Sequence, residues 1–148
     1  MTLALNHFSI RSPDLPACQR FYCDVLGLAV GPRPPFPFPG LWLYAGDTAL
    51  YSNAVVHIIG IDRSDPAGLQ QYLGERSEAS LQGTGAVDHL AFFSAGLAPT
   101  LARLREHGVP FRERTVPVLD LHQVFVEDPH GVVIELNFPA AEHASAVG

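Results

Sequence analysis

The 148-residue sequence has two cysteines and no run of about 18 apolar residues that could span a bilayer. Its N-terminus lacks a basic segment followed by an apolar one, so no export signal is expected. Charge is also scarce: charged residues make up 16%, and nine Lys+Arg against 15 Asp+Glu leave a formal charge of −6. That balance offers no electrostatic footprint for nucleic acid or anionic lipid. Cys18 and Cys23 fall in one predicted helix, which suits free thiols in a reducing cytoplasm rather than a disulfide framework or a zinc knuckle. What remains is a chain that is 47% hydrophobic, expected to be a soluble cytoplasmic protein with one buried core.

The stretch Leu121 to Phe138 reads as two strands around the turn Asp128-Pro129-His130-Gly131. Glu135 sits inside the second strand, between Val133-Ile134 and Leu136, where a carboxylate is costly unless a cation or several donors meet it. From the N-terminus, Leu3 to Ile10 reads as a strand. Ser12-Pro13-Asp14 then opens a helix whose apolar positions run to Leu26 and which Gly27 ends. The proline-rich segment Arg33 to Gly40 is too stiff and too poor in donors to add a central strand. Phe36 and Phe38 within it want burial and are expected to wall a substrate entrance, or else to seal a subunit interface. Leu41 to Ala45 and Ala54 to Gly60 read as further strands, and Ser64-Asp65-Pro66 caps a helix ending near Leu73.

After the polar, Gly-bearing stretch Gly74 to Gly85 the pattern restarts. Val87-Asp88-His89-Leu90-Ala91-Phe92 parallels Leu5-Asn6-His7-Phe8-Ser9-Ile10, and the helix Leu97 to His107 ends at Gly108. His7 and His89 stand 82 residues apart, and His57 and Glu135 stand 78 apart, each late in its half. The order is a two-fold βαβββ repeat: module 1 over about 3–62, a connector over 63–85, module 2 over 86–138, and a tail over 139–148. His7, His57, His89 and Glu135 therefore occupy equivalent places. Three imidazoles and a carboxylate suit Fe²⁺, Mn²⁺, Co²⁺, Ni²⁺ or Zn²⁺ with positions left open for a ligand's oxygens. His107, His122, His130 and His143 lack this symmetry and are expected at the surface. Arg112 and Arg114 are either solvated or paired with an anionic substrate.

These motifs, with Phe21-Tyr22-Cys23-Asp24-Val25-Leu26-Gly27-Leu28 and Asp128-Pro129-His130-Gly131-Val132-Val133-Ile134-Glu135, resemble the vicinal oxygen chelate superfamily. That superfamily includes glyoxalase I, methylmalonyl-CoA epimerase, type I extradiol dioxygenases and bleomycin resistance proteins. The resemblance implies an α+β fold of two βαβββ modules paired into a cup-shaped mixed sheet, within one chain or across a homodimer. It implies a divalent metal held by His7, His57, His89 and Glu135, with Glu135 or His57 moving a proton on a small oxygen-rich substrate. Phe36, Phe38, Phe125 and Arg114 are the expected substrate contacts. His57 stands where glyoxalase I has a glutamate, which points away from glutathione-hemithioacetal chemistry. Dioxygenases would use His7, His89 and Glu135 for Fe²⁺, with His57 for acid–base work, but Phe125 replaces their usual tyrosine. Metal-free binding proteins are the third reading.

Overall fold

The computed structural model describes residues 3–146. The chain divides after Leu81 into two compact units. The first holds β1 (Phe8–Ser12), α1 (Leu15–Gln19), β2 (Ala29–Gly31), β3 (Gly40–Tyr44), β4 (Ala54–Gly60) and α2 (Ala67–Leu73). The second holds β5 (Leu90–Phe93), α3 (Leu97–Glu106), β6 (Phe111–Val116), β7 (Leu121–Glu127), β8 (Val133–Pro139) and α4 (Ala140–Ala146). Each contains a four-stranded mixed sheet, in the orders β1-β4-β3-β2 and β5-β8-β7-β6. In each, the first strand runs parallel to the last and the other pairings are antiparallel. The fold is thus α+β, two βαβββ units with one topology.

The first strand begins later than the sequence suggests. Leu3 and Leu5 are exposed, and pairing with β4 starts at Phe8 and runs through Ser12. His7 and His89 therefore sit one residue before β1 and β5, in matching places. The helix cap also shifts. Asp14, not Ser12, accepts the Ala17 N–H at 2.9 Å, while the Ser12 hydroxyl accepts the Asp14 N–H at 2.9 Å. The helix then widens into a π-helical stretch over Arg20–Val25, where the Leu26 N–H bonds back to the Phe21 carbonyl, and Gly27 at φ 85° closes it. Sequence pattern names neither the three-residue β2 nor the charged β6. Both are edge strands with little apolar content to mark them. No side chain caps α2, contrary to the expectation for Ser64 and Asp65, because its N-cap is Pro66. The segment expected to be a tail is helical over Ala140–Ala146.

Alternation along β4 puts Ala54, Val56 and Ile58 in the core and leaves Val55, His57 and Ile59 half-buried on the other face. α1 packs on β3 and β4, over the buried side that holds Leu43, Val56 and Ile58. In the second unit, α4 packs on α3, β7 and β8, and the Glu142 carboxylate accepts the Gly96 and Leu97 N–H groups at the start of α3. β7 and β8 are covered on both faces, so polar residues there must be satisfied within the sheet. Asp128 locks their turn by accepting the His130 and Val132 N–H groups, with Gly131 at φ 76°.

Leu97, Leu101 and Leu104 repeat at helical spacing on the buried face of α3, and Leu104 is fully buried. Leu104→Ala is expected to lower the unfolding free energy by about 2–5 kcal/mol. Urea denaturation measures it, and a loss below about 1 kcal/mol would mean that α3 does not seal this core.

Candidate metal and substrate site

The second unit gathers its polar residues on the sheet face opposite α4. In register across the strands lie Ala91, Glu135, Phe125 and Arg112, and beside them Phe93, Asn137, Gln123 and Arg114. Glu135 is 6% exposed. Its Oε1 accepts from Gln123 Nε2 at 2.9 Å and from Asn137 Nδ2 at 2.7 Å, and Gln123 Nε2 also reaches Asn137 Oδ1. These amides offset part of the desolvation cost and turn the other oxygen, Oε2, toward His89, whose Nε2 is 3.3 Å away.

The contact between His89 and Glu135 is chemically incomplete. The Nδ1 of His89 lies 2.7 Å from Asp88 Oδ1, and an ionised carboxylate only accepts, so Nδ1 donates there. A neutral His89 then presents a lone pair at Nε2 directly to the lone pairs of Glu135 Oε2. Two acceptors at this distance need a proton or a cation between them. A metal ligand wants the same arrangement: an imidazole whose far nitrogen is fixed by an oxygen and whose near nitrogen is bare.

The first unit repeats half of this. Asn6 Oδ1 lies 2.6 Å from His7 Nδ1, which leaves Nε2 of His7 bare. The His7 ring stacks on His57 at 3.8 Å between centroids and 17° between planes. On its other side His57 stacks on Trp42 at 4.0 Å and 8°, its cross-strand neighbour. Burial in this sandwich, then the charge repulsion of His7, lowers the His57 pKa from 6.5 to about 4, with a hydrogen bond to the Ala54 backbone acting the other way. His57 is therefore neutral at pH 7, which is the form a metal or a substrate proton requires. His7, His57, Trp42, Tyr51 and Tyr72 line a pocket of about 570 Å³.

Each unit thus pairs two of the four expected donors. Among the described residues, no three His, Cys, Asp or Glu side chains gather into a metal cluster. Phe36 and Phe38 stack on each other at 5.3 Å under Arg33, and both meet Tyr72. Phe36 also approaches Trp42 at 6.4 Å, so the stiff loop extends the aromatic surface around His57. Phe125 turns its edge to His89 at 6.2 Å and its face to both guanidiniums, Arg112 at 4.1 Å and Arg114 at 5.1 Å. Arg112 and Arg114 are exposed, as expected of solvated charges, and both rest on the Phe125 ring.

Asn6, Asp88, Gln123, Asn137 and Trp42 escape a reading that looks only for ligands. Asn6 and Asp88 share the repeat spacing of the histidines they orient, and Gln123 and Asn137 interrupt apolar strands as Glu135 does. Two histidines expected at the surface are buried, His122 at 2% and His130 at 7% exposure. His122 faces the α4 side of the sheet, where Thr115, Glu113 and the stacked ring of His143 enclose it. Burial, then Asp24, pushes the Cys23 thiol upward, which makes it a poor nucleophile.

A sequence model of the Glyoxalase/Bleomycin resistance protein/Dioxygenase superfamily matches residues 4–136. No curated protein matches the sequence. Among solved structures, a glyoxalase family protein from Bacillus anthracis is 19% identical with a TM-score of 0.65, covering 94% of this chain and 97% of its own. The trypanothione-dependent glyoxalase I of Leishmania major is 21% identical with a TM-score of 0.62, covering 99% and 94%. An antibiotic-binding protein from Streptomyces sp. CB03234 is 20% identical with a TM-score of 0.58, covering 93% and 97%. At these identities the likeness is one of fold. Among the described residues, no helix is long and apolar enough to cross a membrane.

The His57 shift has a consequence for stability. Between pH 4 and 6.5 the unfolded chain holds a proton on this ring that the folded protein excludes, so stability falls as pH drops through that window. Metal-free protein is expected to lose melting temperature from pH 7 to pH 4.5, and His57→Asn to lose less. Parallel pH profiles for the two proteins would show that the folded ring accepts the proton freely.

Proposed function

The chain belongs to the glyoxalase/bleomycin resistance protein/dioxygenase superfamily, and from that premise we propose a divalent-metal-dependent enzyme of the glyoxalase or epimerase kind. Its substrate is a small molecule with two neighbouring oxygens. The observation that carries this reading is His89 Nε2 facing Glu135 Oε2 at 3.3 Å, with His89 Nδ1 held by Asp88 and Glu135 Oε1 held by Gln123 and Asn137. His89 and Glu135, with His7 and His57, would hold the metal. Fe²⁺, Mn²⁺, Co²⁺, Ni²⁺ and Zn²⁺ all suit three imidazoles and a carboxylate.

A bound divalent cation supplies Lewis-acid polarisation of the substrate's oxygens, acidifying the neighbouring C–H. His57 is the candidate base where it is not itself a ligand, since one ring nitrogen bonds to the Ala54 backbone and the other can serve only one of the two roles. With its pKa near 4 it is neutral at pH 7, and as a base it is about as strong as an ordinary carboxylate. Glu135 is the alternative base through Oε2, since Oε1 is committed to Gln123 and Asn137. Asp88 and Asn6 orient the two histidines. Trp42, Phe36 and Phe38 offer apolar contact to the organic part of the substrate. The expected assembly is a homodimer working in the cytoplasm.

A second reading draws on the row of stacked rings, His7 on His57 on Trp42, which also suits a metal-free protein that binds a flat ligand. One of the proteins of similar fold is named as an antibiotic-binding protein. Ring cleavage is less favoured, because Phe125 brings no hydroxyl to the edge of His89.

Elemental analysis and thermal shift separate these readings. Mn²⁺ or Co²⁺ is expected to raise the melting temperature of the wild type by several degrees and to leave Glu135→Gln unmoved. Equal shifts in both proteins would remove Glu135 from the metal site. With metal retained, deuterium from solvent is expected at the carbon beside the carbonyl of an α-hydroxy ketone substrate. Yellow ring-cleaved product from catechols under Fe²⁺ and O₂ would assign the dioxygenase instead.

A further inference from the structure

Resting on the proposed site around Glu135, we infer that Arg112 and Arg114 form an anion-reading clamp, so that the substrate carries a carboxylate or phosphate apart from its two neighbouring oxygens. The two residues alternate along β6 and project on the face that holds Phe125 and Glu135. Their guanidiniums share one aromatic ring, at 4.1 and 5.1 Å from its centroid. Among the described residues neither is ion-paired with a carboxylate. Glu113 stands between them in sequence, but its carboxylate bonds to His122 on the opposite face. Two like charges held together on a ring repel each other, and in a chain of net charge −6 an acidic partner would be easy to supply. Their fork-shaped donors suit an oxyanion that binds through two oxygens.

The clamp is wired to the site. Arg114 Nε donates to Gln123 Oε1 at 2.6 Å, and Gln123 Nε2 donates to Glu135 Oε1 at 2.9 Å. This contact sets the direction of the Gln123 amide, and it leaves the terminal nitrogens of Arg114 available to a ligand. Arg112 and Phe125 also line a pocket of about 440 Å³ with Pro110, Phe111, Val126, Glu127 and Val133; Arg114 lies outside it, and Glu127 is the one carboxylate in its wall. The Arg–Phe–Arg stack therefore sits where one end of a substrate would be read while its other end meets Glu135 and His89.

Two measurements test this. In metal-free protein, succinate and inorganic phosphate are titrated by isothermal calorimetry against the wild type and the double variant Arg112→Gln/Arg114→Gln. The wild type is expected to bind at least one of the two anions about tenfold or more tightly than the variant, the weight of one charge-assisted bond. Which anion binds tells a carboxylate from a phosphate. Equal binding by the two proteins, or none by either, overturns the clamp. In Mn²⁺-loaded protein, succinic monohydroxamic acid is compared with butyrohydroxamic acid, which chelates equally but lacks the carboxylate. If the clamp reads carboxylate, a preference of about tenfold is expected in the wild type and loss of that preference in the variant, compared at equal Mn²⁺ occupancy. If anion binding is present but neither protein retains Mn²⁺, the clamp stands and the metal-enzyme reading fails.

Discussion

The buried carboxylate of Glu135 constrains the second unit more than any apolar contact does. Desolvating it is tolerable only because Gln123 and Asn137 each deliver an amide N–H to Oε1. Those two residues are themselves cross-strand partners, and Phe125 lies opposite Glu135. A one-residue slip of β7 against β8 would send Gln123 and Phe125 to the α4 face and set Glu135 beside Val124 and Val126, with Asn137 as its one remaining amide. The network therefore selects the register as well as orienting a side chain. Asp128 reinforces that selection at the turn, where its carboxylate holds two backbone N–H groups.

The first unit solves the equivalent position differently. There His57 faces Trp42 across the strands, where Glu135 faces Phe125, and stacking replaces hydrogen bonding as the ordering force. An imidazole between two rings loses hydration on both faces, which accounts for its reluctance to take a proton. Packing of His57 and its chemistry as a neutral donor are thus one property. In the second unit the same two requirements are divided, with amides supplying order and Oε2 supplying chemistry.

Much of this was legible in the sequence, and what was not has a common cause. The repeat of His7 with His89 and of His57 with Glu135 marks both units, and the strong hairpin of β7 and β8 announces itself through its turn and its β-branched flanks. Strands β2 and β6 carry no such pattern, since β2 has only three residues and β6 is mostly charged and polar. The supporting residues Asn6, Asp88 and Gln123 are invisible to periodicity because their role depends on which neighbour the register places beside them. His122 reads as surface for the same reason. Only the pairing of β6 with β7, and of His143 with its ring, shows how a histidine is satisfied inside.

The four candidate donors carry little charge of their own. With His57 neutral, three imidazoles contribute no charge, and Glu135 contributes one negative charge. Were a divalent cation held by the proposed set, it would keep one net positive charge, whereas a second glutamate at position 57 would cancel it. A residual positive charge favours a ligand whose neighbouring oxygens are themselves anionic or become so as a proton leaves carbon. Arg112 and Arg114 extend the same sign along the sheet face without a carboxylate to neutralise them. The face that bears Glu135 thus sets two guanidiniums beside a carboxylate whose Oε1 is already bonded, with Glu127 in the pocket that Arg112 lines. On the proposed reading, such a face would favour acidic small molecules over neutral ones before any contact specific to their carbon skeleton is made.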